Sequence, residues 1–127
     1  LGLTPLVKLT HQVSVAQAPE WFTMAPKLAI QALCEKSGFG LSDIDLFEIN
    51  EAFSVVNLAI SKELSLSDKT INVHGGAVAL GHPIGASGAR IMVTLIHALK
   101  RLQQQRGLAT LCIGGGEAVG VMVEAIS

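Results

Sequence analysis

The segment from Asn72 to Gly88 has the composition of a reaction loop rather than of a core strand. It reads Asn-Val-His-Gly-Gly-Ala-Val-Ala-Leu-Gly-His-Pro-Ile-Gly-Ala-Ser-Gly, with five glycines, two histidines and no Asp, Glu, Lys or Arg. Glycine is used where the backbone takes a positive φ or approaches another group closely. His82, between Gly81 and Pro83, is placed to transfer a proton or to donate to a developing oxyanion. The segment therefore predicts a catalytic loop.

Two more groups able to do chemistry stand at the ends of predicted strands. Asn50 directly follows the predicted strand 45–49, and Cys112 lies near the end of the predicted strand 108–113. In α/β sheets the chemistry gathers at the carboxyl ends of the strands. We therefore expect Asn50, His82 and Cys112 to meet at one edge of the sheet. Taken singly, Asn50 also fits a helix N-cap, and Cys112 also fits a buried strand residue.

Other candidate motifs lack residues that their chemistry requires. Residues 76–81 have the glycine spacing of a phosphate loop, but His82 stands where that loop needs Lys, and no Ser or Thr follows it. The glycine run 114–116 lacks the spacing and the following helix of a dinucleotide site. His74 and His82 have no two further ligands nearby in sequence, so we expect no metal site. Cys34 falls within a predicted helix and is interpreted as a core residue.

The elements that would position these residues alternate along the chain. Apolar segments with alternating or β-branched residues predict strands at 6–15, 45–49, 70–73, 108–113 and 119–126. Apolar residues at helical spacing predict helices at 26–36, 52–63 and 84–104. The order βαβαβαββ predicts an α/β fold, in which a mixed five-stranded sheet carries helices on both faces.

Composition limits the function classes. The 127-residue chain has a net charge of −1, whereas a nucleic-acid partner would require a basic patch. Gly, Pro and His in the charge-free segment around His82 exclude a membrane span there. The length predicts a single domain over 1–127. Because hydrophobic residues make up 50% and charged residues 15% of so short a chain, we expect part of its surface to pack against another domain.

Three motifs, in order along the chain, give it a family resemblance. Asn50-Glu51-Ala52-Phe53 matches an Asn-Glu-Ala-Phe motif. Residues 72–88 match the pattern Asn-x-x-Gly-Gly-x-x-x-x-Gly-His-Pro-x-Gly-x-Ser-Gly at each fixed position. Residues 107–120 match a closing Cys-x-Gly signature. These motifs are typical of thiolases and cover essentially the whole chain, which therefore resembles the C-terminal domain of a thiolase.

The resemblance implies a role for each candidate residue. Cys112 is expected to be the general base that removes a proton from the methyl carbon of acetyl-CoA. His82 is expected to donate to one thioester oxygen, helped by a water held by Asn50. The backbone N–H of Gly114 is expected to stabilise the other oxyanion, and Phe53 is expected to contact substrate. Coenzyme A thioesters would be the substrates, and no cofactor is expected.

The resemblance also implies what lies outside this chain. The nucleophilic cysteine of thiolases belongs to the N-terminal half, so we expect this chain to act only with an N-terminal thiolase domain and to be inactive alone. The expected reaction is the reversible condensation of two acetyl-CoA to acetoacetyl-CoA and CoA. A homodimer or homotetramer and a cytoplasmic location are also expected, with no nucleic acid or membrane as partner.

Three alternatives stay open at this point. The first is a degradative 3-ketoacyl-CoA thiolase, since chain-length selectivity depends on loops outside this chain. The second is a thiolase-like domain that serves only in assembly. A β-ketoacyl synthase fits less well, because that family has a histidine where this chain has Cys112. Glu117 departs from the family pattern, and its carboxylate would raise the pKa of Cys112 if it faced the thiol.

Overall fold

The computed structural model of the chain describes residues 2–126, which fold into a sheet flanked by helices. Its strands are β1 (Val7–Ala16), β2 (Leu46–Ile49), β3 (Arg106–Cys112) and β4 (Glu117–Ala125). Its α-helices are α1 (Ala25–Ser37), α2 (Ser54–Leu64), α3 (Ala77–Leu80) and α4 (Ser87–Leu102). Two 3-10 helices, Pro19–Met24 and Leu41–Asp43, precede α1 and β2.

The sheet is mixed, with the strand order β1-β4-β3-β2. β2 runs parallel to β3, whereas β4 is antiparallel to both of its neighbours, β3 and β1. The carboxyl ends of β2 and β3 therefore lie side by side at one edge. The predicted class, an α/β fold with a mixed sheet, is confirmed.

The prediction of a fifth strand at 70–73 is wrong, and a side chain explains why. Ile71 forms only a single parallel bridge to Phe47 of β2. The next residue, Asn72, has a left-handed φ of +46°, which ends the extended backbone. Its side-chain amide then pairs with Ile49, accepting from the Ile49 N–H and donating to the Ile49 carbonyl, both at 2.9 Å. A side chain thus makes the pair of bonds that a longer fifth strand would have made.

Helices cover both faces of the sheet, as predicted. α1 and α2 pack over the face that carries Phe47 and Leu108, whereas α4 packs over the face that carries Leu46 and Ala109. Successive residues of a strand point to opposite faces, so β2 and β3 each contribute to both cores. All four of these side chains are buried. The two cores hold β2 and β3 rigidly where their ends meet.

Helix boundaries differ from the predictions mainly around the His82 loop. α4 begins at Ser87 instead of Ile84, because the preceding residues form a turn in which the Ala86 N–H donates to the Pro83 carbonyl at 2.6 Å. The short helix α3 was not predicted, since four residues are too few for a helical period. The helix predicted at 26–36 extends over Ala25–Ser37, and Gly38, with a φ of +77°, closes its last turn.

Candidate active site

Asn50 occupies the end of β2 and is completely buried. Its N–H donates to the carbonyl of Thr110 on β3 at 3.0 Å, which fixes its backbone against the neighbouring strand. Its side-chain Nδ2 lies 3.4 Å from Nε2 of His82. Its Oδ1 is buried and has no hydrogen-bond partner among the described residues. α2 begins only at Ser54, with Phe53 at its N-cap, so Asn50 is not a helix cap.

His82 is held from both sides of its ring. Nδ1 lies 2.5 Å from the hydroxyl of Ser87 in the first turn of α4, and Nε2 faces Asn50. The Ser87 hydroxyl also lies 3.2 Å from the Pro83 carbonyl. If Ser87 donates to Nδ1, the proton of a neutral ring sits on Nε2 and is available to a substrate oxygen. If Ser87 donates to Pro83, Nε2 becomes an acceptor, so the hydroxyl of Ser87 governs which ring nitrogen can donate.

Cys112 is the last residue of β3 and is half-buried against the α1 and α2 core. It pairs with Ala118 of β4 and stands two residues beyond Thr110, the partner of Asn50. Burial raises the pKa of the Cys112 thiol, and its own backbone partly opposes that rise. The thiolate needed for a base is therefore not favoured by the described residues alone.

The turn after Cys112 exposes its backbone. Gly114 is exposed, and a Cβ built there would meet nothing within 4 Å. Gly116 has a φ of +102°, and a Cβ there would lie 2.3 Å from the Gln17 carbonyl, so this position requires glycine. The carboxylate of Glu117 lies beside Gly115, where a Cβ would sit 2.6 Å from Oε2. Glu117 is not among the causes of the raised pKa of Cys112.

Apolar side chains around this edge are exposed to an unusual degree. Phe53 is 58% exposed and meets Phe22 edge to face, with ring centroids 6.3 Å apart. Val78 is 68% exposed, and Ile84, next to Pro83 in the predicted catalytic loop, is 85% exposed. Large exposed apolar side chains next to a candidate site favour the packing of another surface there.

The remaining candidates of the sequence lie elsewhere. Cys34 is half-buried in α1, where burial and then Asp43 raise the pKa of its thiol. His74 and His97 line a separate cavity of about 240 Å³. Within residues 2–126, no three His, Cys, Asp or Glu side chains group as metal ligands would. In the same residues, no helix has the length and apolar content to cross a membrane.

Comparison with known proteins shows which family this chain belongs to. A family model described as "Thiolase, C-terminal domain" matches residues 3–125. The chain belongs to the thiolase family. Acetyl-CoA acetyltransferase of Escherichia coli K12 is 48% identical over 126 residues, covering 99% of this chain and 32% of that protein. The cytosolic acetyl-CoA acetyltransferase of Mus musculus is 48% identical over 122 residues, covering 96% of this chain and 31% of that protein.

Solved thiolase structures agree with the fold. The crystal structure of the Bacillus anthracis acetyl-CoA acetyltransferase matches with a TM-score of 0.95 at 46% identity, covering 98% of this chain and 32% of that one. The Ascaris suum Acat5 thiolase in complex with coenzyme A matches with a TM-score of 0.92 at 49% identity and the same coverage. The chain thus spans about a third of the length of the relatives that it matches.

Three side-chain contacts near the candidate site were not predicted. Ser87 is only one fixed position of the 72–88 pattern in the sequence, yet its hydroxyl contacts His82. Glu51 was noted only as part of a motif, but its carboxylate accepts the Val78 N–H at 2.9 Å. Glu48 is buried beside Arg90 of α4, with 3.5 Å between its Oε2 and Arg90 Nη1. The contacts of Glu51 and Glu48 join segments distant in sequence, so no local pattern could have shown them. Ser87 lies close to His82 in the chain, but their contact depends on the turn that precedes α4.

Proposed function

We propose that this thiolase domain supplies half of the active site of an acetyl-CoA acetyltransferase. The reaction is the reversible condensation of two acetyl-CoA to acetoacetyl-CoA and CoA. The observation that carries the proposal is the contact between Asn50 and His82 at the end of β2, beside the strand that ends in Cys112. The names of the relatives, acetyl-CoA acetyltransferases at 48% identity, support the short-chain reaction.

Each group has one task in the proposed reaction. The Cys112 thiolate removes a proton from the methyl carbon of acetyl-CoA, and the charge passes to the thioester oxygen as an enolate. Nε2–H of His82 donates to that oxygen, and Asn50, whose Nδ2 lies 3.4 Å from Nε2, holds a water that donates to the same oxygen. The enolate carbon then attacks an acetyl group held on a cysteine of the N-terminal half, and that cysteine leaves as its thiolate. The Gly114 N–H donates to the oxyanion formed in this attack.

The physical chemistry supports this division of labour. A proton next to a thioester carbonyl is weakly acidic, so the enolate oxygen needs donors already in place. One such donor is typically worth about 3–4 kcal/mol of barrier. The buried Cys112 thiol has a raised pKa, so something beyond the described residues must favour its thiolate. We assign that contribution to the N-terminal half and the bound thioester.

The partner of this domain is an N-terminal thiolase domain. The exposed apolar side chains near the site, among them Phe53 and Ile84, would be covered by it. Assembly into a homodimer or homotetramer stays a prediction. Substrate contact by Phe53 likewise stays a prediction, supported by the position of this exposed ring three residues after Asn50.

The decisive experiment compares this chain alone with the complete enzyme that contains it. The complete enzyme should condense acetyl-CoA, and the chain alone should not, because a base without a covalent acyl acceptor cannot finish the exchange. Turnover by the isolated chain would contradict the half-site proposal. Faster thiolysis of long 3-ketoacyl-CoA than of acetoacetyl-CoA would favour the degradative alternative. A complete enzyme without either activity would favour the assembly role.

A further inference from the structure

The Glu51 carboxylate contacts three separate segments of the chain. Its Oε2 accepts the backbone N–H of Val78 in α3 at 2.9 Å. Its Oε1 lies 3.3 Å from Nδ2 of Asn72 and 3.5 Å from Nδ2 of Asn57 in α2. Hydrogen bonds to a charged acceptor are stronger than those between neutral groups. One side chain thus ties the loop before His82 to the end of β2.

Asn72 extends this connection to the sheet itself. Its amide pairs with both backbone groups of Ile49 at 2.9 Å, and its Nδ2 also faces Glu51. The left-handed backbone of Asn72, with a φ of +46°, turns the chain from the sheet into the catalytic loop. The start of the loop is therefore fixed to β2 by side chains rather than by a strand.

Gly76 shows how closely the carboxylate fits. A Cβ at Gly76 would lie 2.4 Å from Cδ of Glu51 and 2.7 Å from Nδ2 of Asn72. Gly76 is buried and its φ of −110° is open to any residue, so space alone requires glycine here. We name Glu51, Asn72 and Gly76 together the Glu51 brace.

We propose that the Glu51 brace positions His82 for catalysis. From Val78, the anchored chain runs through the rest of α3 and Gly81 directly to His82. Ser87, in the segment after His82, contacts the ring at Nδ1. The brace therefore fixes the backbone before His82, and Ser87 fixes the ring from the backbone after it. This inference rests on the proposed function, in which Nε2 of His82 must face the enolate oxygen. A displacement of about 1 Å at such a donor can cost about a hundredfold in rate.

The first test measures Glu51→Ala and Glu51→Gln in the complete enzyme. We expect Glu51→Ala to lower kcat about tenfold or more, with KM for acetyl-CoA changed less than about twofold, since a misplaced donor weakens transition-state stabilisation. Glu51→Gln keeps the shape of the side chain but directs an NH₂ group at one of its donors, so kcat should fall less than in Glu51→Ala. The matched control is Glu63→Ala, which removes a carboxylate with one Lys27 contact from the other end of α2.

The second test asks whether Glu51 acts through His82. In a His82→Ala background, Glu51→Ala should cause little further loss of kcat, because the donor to be positioned is already absent. Multiplying losses would show a general structural effect and overturn the inference. An unchanged kcat in Glu51→Ala would also overturn it. If His82→Ala itself had no effect on kcat, the proposed function would fail instead, so the two failures are distinguishable.

A third test uses the close fit at Gly76 and stays informative if Glu51→Ala is poorly stable. Gly76→Ala should lower kcat strongly when Glu51 is present. It should lower kcat much less when Glu51 is Ala, because the tightest contact of the new Cβ is then removed. Independent effects of the two substitutions would contradict the brace.

Discussion

The ends of β2 and β3 lie side by side, yet they are built in opposite ways. The β2 end is closed: Asn50 is fully buried, bonded to β3 through its N–H and in contact with His82 through its side chain. The β3 end is open: Cys112 is followed by an exposed turn in which Gly114 has free space around it. In the proposed reaction, this chain arranges its own hydrogen-bond donors, and the thiol is completed by the substrate and the N-terminal half.

The difference also follows from what each group must do. A donor stabilises a transition state best when it needs no rearrangement at the moment of reaction, and that requires rigid neighbours. A base that contacts a carbon atom needs space for the substrate beside it. The contacts of His82 with Asn50 and Ser87 meet the first need, and the glycine turn after Cys112 meets the second.

Removing the thiol at the open end should have the largest effect. In the complete enzyme, Cys112→Ser should abolish condensation of acetyl-CoA, because a hydroxyl is far too weak a base, while acylation of the upstream cysteine stays partly intact. Mass spectrometry of the acyl-enzyme and a product assay measure the two steps separately. Cys34→Ser, which changes a cysteine of α1, is the matched control and should stay active. Condensation near the wild-type rate would show that Cys112 is not the base.

Breaking the closed end should cost less but remain large. His82→Ala should lower kcat by about a hundredfold or more, the scale of losing one oxyanion donor. The loss should appear in kcat rather than in KM, because the donor acts on charge that forms in the transition state. His97→Ala on the exposed side of α4 serves as the control. A change confined to KM would instead indicate a role in substrate positioning.

The same comparison shows what sequence reasoning could reach. The sequence predicted that Asn50 and Cys112 lie at the carboxyl ends of strands and that His82 occupies a glycine loop, because these depend on local chemistry and sheet topology. The fifth strand failed at Asn72, where a side-chain amide took over the hydrogen bonds of the backbone. The contact of Ser87 with His82 could not be seen either, since it depends on where the turn before α4 places that helix.

Substitution of Ser87, which contacts His82 at the β2 end, should have a smaller effect on activity than substitution of His82 itself. In the proposed reaction Ser87 donates to Nδ1 of His82, so Ser87→Ala should remove the preference for the tautomer that donates through Nε2. One neutral hydrogen bond is worth about 1 kcal/mol, so kcat should fall about fivefold. The pH dependence of kcat should change with it, whereas Ser42→Ala at an exposed position should change neither. An unaltered kcat and pH profile would show that Ser87 does not select the tautomer.

The smallest expected effect on activity, and a clear one on stability, comes from Glu48. The pKa of this carboxyl is raised from 4.5 to about 7, because burial raises it more than Arg90 lowers it, and Glu51 adds to the rise. The folded state therefore binds the Glu48 proton more tightly than the unfolded state does. As a result, the stability that Glu48 contributes in its protonated form is lost as pH rises from about 4.5 through about 7.

Glu48→Gln should therefore separate from the wild type only on the alkaline side. Near pH 4.5 the two proteins should unfold at similar free energies. At pH 8 the variant should be more stable by up to about 3 kcal/mol, since one pKa unit corresponds to about 1.4 kcal/mol and Gln carries no charge to bury. Thermal unfolding of both proteins between pH 4.5 and pH 8 measures the difference. A difference that stays constant over this range, or one that favours the wild type at pH 8, would show that Glu48 is not held protonated in the fold.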